Sequence, residues 1–165
     1  MGRAARHNEG LRVMKSLKLL LAMPFLLSAC ADYPRDLEGT SEAIKSRKTM
    51  RIGIVAGSTS DAAPRRAFIA ELTRRTGARP FHVTGSAEAL LLYLKSGKLD
   101  LVIGEFAKDT PWIDEVAVIE PIARRMVGKD ELDLVPIARN GENRWVMTLE
   151  TAVRDLTASD RESGA

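Results

Sequence analysis

Hydroxyl side chains crowd one short stretch of this sequence, Gly57-Ser58-Thr59-Ser60-Asp61. Set between a strand and a helix, the N–H groups and hydroxyls of such a loop can hold an anion or the polar head of a small ligand. The stretch lacks the lysine and the glycine spacing of a P-loop, and it is not a G-x-G-x-x-G turn. The same residues would serve equally as a turn that only caps the next helix. Polar chemistry gathers again at Glu105, Asp109 and Trp112. Carboxylates beside an aromatic ring can grip a cation or a polar solute; the plainer reading is a solvated loop with Trp112 folded onto the core. His82 alternates with Phe81 and Val83, which is the pattern of an ordinary strand residue. The arginine pairs at 65–66, 74–75 and 124–125 read as solvated faces. Serine, histidine and carboxylates are all present, but no spacing marks a triad, so no catalytic residue is assigned and no enzyme is expected.

Those loops need a scaffold, and the apolar pattern supplies one. Met50 to Ala56 is a short Ile- and Val-rich run, the signature of a buried strand. Pro64 suits a first helical turn, because it has no N–H to lose there. Phe68, Ile69 and Leu72 form the apolar face of that helix, and Gly77 ends it. Arg79 to Thr84 reads as a second strand. Ser86 can cap the helix that carries Ala87, Leu90, Leu91 and Leu94 at helical spacing. Gly97 stops it, and Leu99 to Ile103 is a third strand. Strand and helix alternating in this way predict an α/β domain, a mostly parallel sheet of about five strands covered by helices. The loops after the three strands then share one edge, where ligands of open α/β sheets usually bind. Beyond them the pattern gives a short strand at Val116 to Ile119, another at Leu132 to Ala138 and a turn at Asn140-Gly141. A last helix runs from Asn143 to about Leu156. Asp32 to Gly39 reads as a tether, Thr40 as the cap of a short helix to about Lys48, and residues 157–165 as a disordered tail.

The first thirty residues stand apart from this domain. Arg3, Arg6, Arg12, Lys15 and Lys18 give a basic start, and an apolar run follows from Leu19 to Leu27. It ends in Leu27-Ser28-Ala29-Cys30. That order describes a secretory signal, and the run is too short to cross a bilayer, which takes about 20 residues. Met14 to Cys30 is already a complete signal, so Met14 is an alternative start. Residues 1–29 hold five of the 25 basic and one of the 22 acidic residues, leaving 20 and 21 and a charge of −1. The basic character therefore belongs to the signal and gives no reason to expect a nucleic-acid partner. Cys30 is the sole cysteine, so no internal disulfide or thiolate metal site is available, and neither a metal nor a cofactor is expected.

Two resemblances follow. Leu27-Ser28-Ala29-Cys30 resembles the lipobox of bacterial lipoproteins, which implies that the Cys30 thiol takes a diacylglycerol and becomes the new N-terminus. The protein would then be anchored by lipid on the periplasmic or other extracytoplasmic side of a membrane. The second resemblance rests on Pro34-Arg35-Asp36-Leu37-Glu38-Gly39-Thr40, on Met50 to Ala56, on Arg75-Thr76-Gly77, and on Ser86-Ala87-Glu88-Ala89-Leu90. Its most specific stretch is Lys95-Ser96-Gly97-Lys98-Leu99-Asp100-Leu101-Val102-Ile103-Gly104. Asp109-Thr110-Pro111-Trp112 and Gly141-Glu142-Asn143-Arg144-Trp145 add to it. Together they resemble the first lobe of a family-3, amino-acid-binding type of periplasmic solute-binding protein, over roughly residues 27 to 156 with a gap in the middle.

The resemblance implies a three-layer lobe, half of a type II periplasmic-binding-protein architecture, over residues 49–156. Ahead of it come the signal (1–30) and the tether with its short helix (31–48). It implies a small polar solute as ligand, with Ser58, Thr59, Ser60, Thr84 and Ser86 as polar contacts and Trp112 as an apolar wall. A transporter permease of the ABC type or another envelope protein is the implied partner. The departures are as informative. The interval between Pro121 and the final helix is too short for a second lobe, which needs several βαβ units of about 30 residues each. Binders of this type usually place an arginine directly after the threonine of the third-strand loop; here Thr110 is followed by Pro111, Trp112 and Ile113. An open half-site of this kind would bind weakly or with help from a partner. The competing reading is a scaffold or remnant lobe that binds no solute and docks to an envelope protein.

Overall fold

The computed structural model describes residues 34–58, 62–107 and 114–163. Among these residues four helices and six strands follow in this order: α1 (Thr40–Arg47), β1 (Thr49–Val55), α2 (Ala62–Thr76), β2 (Arg79–Gly85) and α3 (Ala87–Lys95), then β3 (Leu101–Ala107), β4 (Val116–Val118), β5 (Ala123–Val127), β6 (Asp130–Arg139) and α4 (Asn143–Ser163). They form one sheet in the order β2-β1-β3-β6-β4, with β5 also paired to β6. Helices α1, α2 and α4 bury Ile44, Phe68, Leu72, Trp145 and Leu149 against one face, over Met50, Ile52, Leu101 and Ile103. Helix α3 buries Leu90, Leu91 and Leu94 on the other, over Val102, Val135 and Ile137. The period-2 alternation of β3 therefore feeds two cores at once, which is why its sequence reads as a continuous apolar run.

The α/β class and the three layers match the sequence pattern, but the sheet is mixed rather than mostly parallel. β1 is parallel to β2 and β3, whereas β6 is antiparallel to β3, β4 and β5. The cause is the hairpin of β5 and β6 around Gly128-Lys129. Antiparallel strands need only a two-residue turn, while a parallel return needs a crossover of a dozen or more residues. Pro136 lies inside β6 without breaking the ladder to β3. Its carbonyl accepts from the Ile119 N–H, 3.0 Å away on the outer side. The proline nitrogen faces that same side, in the interval between β4 and β5, where no ladder bond is required.

Two further corrections concern the ends. Residues 157–163, expected as a disordered tail, continue α4 as far as Ser163. No glycine or proline interrupts this stretch before Gly164, and Leu156 still packs on the core while Asp155 pairs with Arg75. The stretch from Pro34 to Gly39, expected as a tether, is hydrogen-bonded into the domain. Leu37 donates to the Gly141 carbonyl, and Asp36 and Glu142 face one another as a β-bridge. The cap of α1 is Gly39, with φ 72° and no side-chain cap bond, rather than Thr40. Helix α1 itself belongs to the domain, since Ile44 is buried in the larger core.

Candidate functional site

The carboxyl ends of β1, β2 and β3 meet at one edge, as strand order requires. The Ala56 N–H donates to the Gly85 carbonyl at 2.8 Å, joining the ends of β1 and β2. The Glu105 N–H donates to the Ser58 hydroxyl at 2.9 Å, joining the first loop to β3. Gly57 turns the chain at φ 80°, in the region that favours glycine. Gly104 lets the neighbouring strand close up, because a Cβ there would collide with the Val55 side chain.

Each expected contact residue now has a place. Ser58 is half-buried, and its hydroxyl already accepts a bond, so its first task is to fix the loop on β3. Thr84 is exposed near the end of β2. Ser86 caps α3, its hydroxyl accepting from the Ala89 N–H at 3.4 Å. The structure thus brings Ser58, Thr84 and Ser86 to one edge and gives two of them local bonding roles. Thr59, Ser60, Asp109, Trp112 and Cys30 lie outside the described residues.

One pair at this edge escaped the sequence reading. The Arg125 guanidinium donates to both carboxylate oxygens of Glu105, at 2.7 and 2.8 Å, and the Glu105 side chain is only 7% exposed. That hydrogen bonding raises the Arg125 pKa above its ordinary value, so the pair keeps its charge wherever Glu105 is ionised. Geometrically it is a latch. Glu105 is on β3 and Arg125 on β5, so the two side chains reach across β6 and hold the hairpin against the edge. Since Ala107 pairs with Leu132, the hairpin tip at Gly128-Lys129 runs past Ala107, the last residue of β3. It leaves Met126 and Val127 64% and 41% exposed. The available signal was Gly128 between two short alternating runs, the mark of a tight hairpin.

No family model and no curated protein matches the chain. Solved structures do. A point mutant of the arginine-bound form of domain 1 from TmArgBP superposes with a TM-score of 0.61 at 19% identity, over 72% of this chain and 98% of that one. An ancestral cationic amino acid solute-binding protein gives 0.62 at 10% identity, over 76% and 97%. A mutant of ArgBP from T. maritima gives 0.61 at 12% identity, over 74% and 95%. The fold is that of one lobe of a solute-binding protein. In open α/β sheets ligands usually bind at the edge where the carboxyl ends of the strands meet, which here is the loop edge. Among the described residues no group of three or more His, Cys, Asp or Glu is placed to hold a metal ion, and no helix is long and apolar enough to cross a membrane.

Proposed function

We propose that this chain is an exported lipoprotein, anchored through Cys30, whose single lobe binds a small polar solute at the edge formed by Ser58, Thr84 and Ser86. Thr59 and Ser60 follow Ser58 in the first loop, Trp112 comes from the stretch after β3, and the three complete the proposed contact set. The observation that carries the reading is the likeness to domain 1 of TmArgBP, an isolated single domain in its arginine-bound form. One lobe of this fold is thus enough to hold a ligand in that protein. The hairpin latched by Glu105 and Arg125 extends past the end of β3 and in this reading supplies a partial second wall. An edge open on its other sides buries less of a ligand than the 70–90% or so of an enclosed pocket, so affinity is weak without a partner.

Calorimetry of the mature chain with arginine, other amino acids and small polar solutes tests this. Weak saturable binding is expected with at least one of them. Ser58→Ala is expected to lower that affinity about five- to tenfold, the worth of one net hydrogen bond of about 1 kcal/mol. Absence of heat with every solute removes the binding reading; tight binding by a monomer removes the half-open site. The anchor is checked separately. The wild-type chain should sediment with membranes and carry a lipid-modified N-terminal cysteine by mass spectrometry, and Cys30→Ser should release it. A soluble wild type with a free thiol defeats the anchor.

A second reading has one observation behind it. Met126 and Val127, successive residues of β5 beside the hairpin turn, are both exposed, and exposed apolar side chains mark interfaces where they form large enough patches. In that reading the lobe docks to a transporter permease or another envelope protein. Cross-linking in cells from a photoreactive residue at 126 would capture a discrete partner; a clean negative alongside solute binding leaves the first reading alone.

A further inference from the structure

At the opposite end of the lobe lies a groove that the solute edge does not use. It runs between α1, the end of α2 and the start of α4, with a volume of about 360 Å³, and is lined among others by Ser41, Lys45, Lys48, Arg75 and Arg144. It opens into a shallower hollow of about 460 Å³ that shares Arg75 and Arg144 and adds Pro34 and Met147. Helix α1 ends just before β1 starts, and α2 ends just before β2 starts. The groove therefore sits at the amino ends of the parallel strands, across the sheet from the loops.

Its chemistry favours an anion. Arg75 is satisfied by Glu71 and Asp155, and Arg144 by Glu42 and the Pro34 carbonyl. Lys45 and Lys48 are exposed and have no carboxylate within ion-pair distance among the described residues. Ser41 belongs to the wall, but its hydroxyl is buried away from the opening. Two unpaired ammonium groups on the rim suit a phosphate, although residues 30–165 as a whole carry a charge of −1.

Covalent reach selects the source of that phosphate. Pro34 lines the hollow, and Cys30 is four residues before it. Four residues span at most about 14 Å. We propose that this groove docks the headgroups of anionic phospholipids, so that the lobe rests on the bilayer with its loop edge turned outward. The direction of approach rests on Cys30 being the anchor; the lipid contact itself does not. Two acyl chains already anchor a protein stably, and a basic patch beside them adds contact with anionic headgroups and fixes the orientation.

The test uses the chain from Ala31 onward, which contains the whole compact unit of Pro34–Ala165. It is mixed with vesicles of phosphatidylcholine alone or of phosphatidylcholine with phosphatidylglycerol. Co-sedimentation is expected only with the anionic vesicles, and it should fall as salt screens the contact. The double variant Lys45→Glu/Lys48→Glu is expected to bind about tenfold or more weakly with its thermal midpoint unchanged. Arg66→Glu, an exposed reversal on the first turns of α2, is expected to bind like wild type. Equal binding to both vesicle types, or equal losses from the two reversals, overturns the proposal. Because this chain lacks Cys30, a positive result stands even where mass spectrometry finds that cysteine unmodified, and the two readings fail separately.

Discussion

Asp100→Ala is expected to destabilise the lobe by about 3 kcal/mol, lowering its thermal midpoint by roughly 10 °C. Asp100 is 5% exposed, and its carboxylate is a meeting point for two elements, α1 and β1. The Arg47 guanidinium, from the last turn of α1, reaches both oxygens at 3.0 and 2.9 Å. Arg51 of β1 donates its backbone N–H at 2.8 Å and its guanidinium at 3.2 and 2.6 Å. The main chain of Asp100 extends the hub, since its carbonyl accepts from the Trp145 indole N–H of α4 at 2.7 Å. Truncation leaves the Arg51 N–H without its partner and two guanidinium groups facing each other. Breaking a buried pair costs about 3–5 kcal/mol. The arginines here are 36% and 30% exposed and regain water, so the lower end applies. Asp100→Asn keeps an acceptor for the Arg51 N–H and should lose about half as much. Urea unfolding of the two variants decides it. An alanine variant within about 0.5 kcal/mol of wild type, the range of ordinary surface changes, means that the hub does not hold these elements together.

Sequence pattern reached the three parallel strands because β1 and β3 are short and apolar, and β1 and β2 are each followed by a helix with a clear stop. Gly77 and Gly97 mark those stops, with φ 63° and 70°. It did not reach β5, where Arg124 and Arg125 stand side by side in a run that is half-exposed along its length. A strand with little to bury leaves little pattern. Helix α4 was read too short for a related reason. Its last turns are polar, and polar residues on the outer side of a helix say nothing about where it ends. At the loop edge, Ser58 was legible as a loop hydroxyl, yet its bond to the Glu105 N–H joins positions 47 apart in sequence. Local spacing cannot report such a contact. Asp100 belonged to the most specific stretch of the family resemblance, but only the pairing of β1 with β3 reveals that it is a structural hub.

Glu142→Gln is expected to cost about 2–3 kcal/mol, from a residue that local rules would assign to the wrong helix. Glu142 directly precedes α4, where a carboxylate ordinarily caps the helix it begins. Its side chain instead crosses to α1. One oxygen accepts from the Glu38 N–H at 2.7 Å and the other from the Thr40 N–H at 2.8 Å, with the residue fully buried. Asp36 serves both helices, accepting from Ser41 at the start of α1 at 2.8 Å and from Trp145 at the start of α4 at 2.9 Å. Two carboxylates thus satisfy the free N–H groups of two adjacent helix starts, at the positive ends of both dipoles. Glutamine has the same shape but must turn an NH₂ group toward one of those donors. It also removes the charge facing the helix start and Arg139, whose guanidinium is 3.8 Å away. Asp36→Asn should cost somewhat less, because that carboxylate is partly hydrated, and the double variant should lose less than the sum since both residues hold the same junction. Urea midpoints measure the losses. Limited proteolysis adds a readout specific to the junction, because cleavage between Pro34 and Gly39 should accelerate in both single variants before the domain unfolds. Unchanged proteolysis together with additive losses would mean that Asp36 and Glu142 act as two independent caps, and that residues 34–39 are held to the lobe by other contacts.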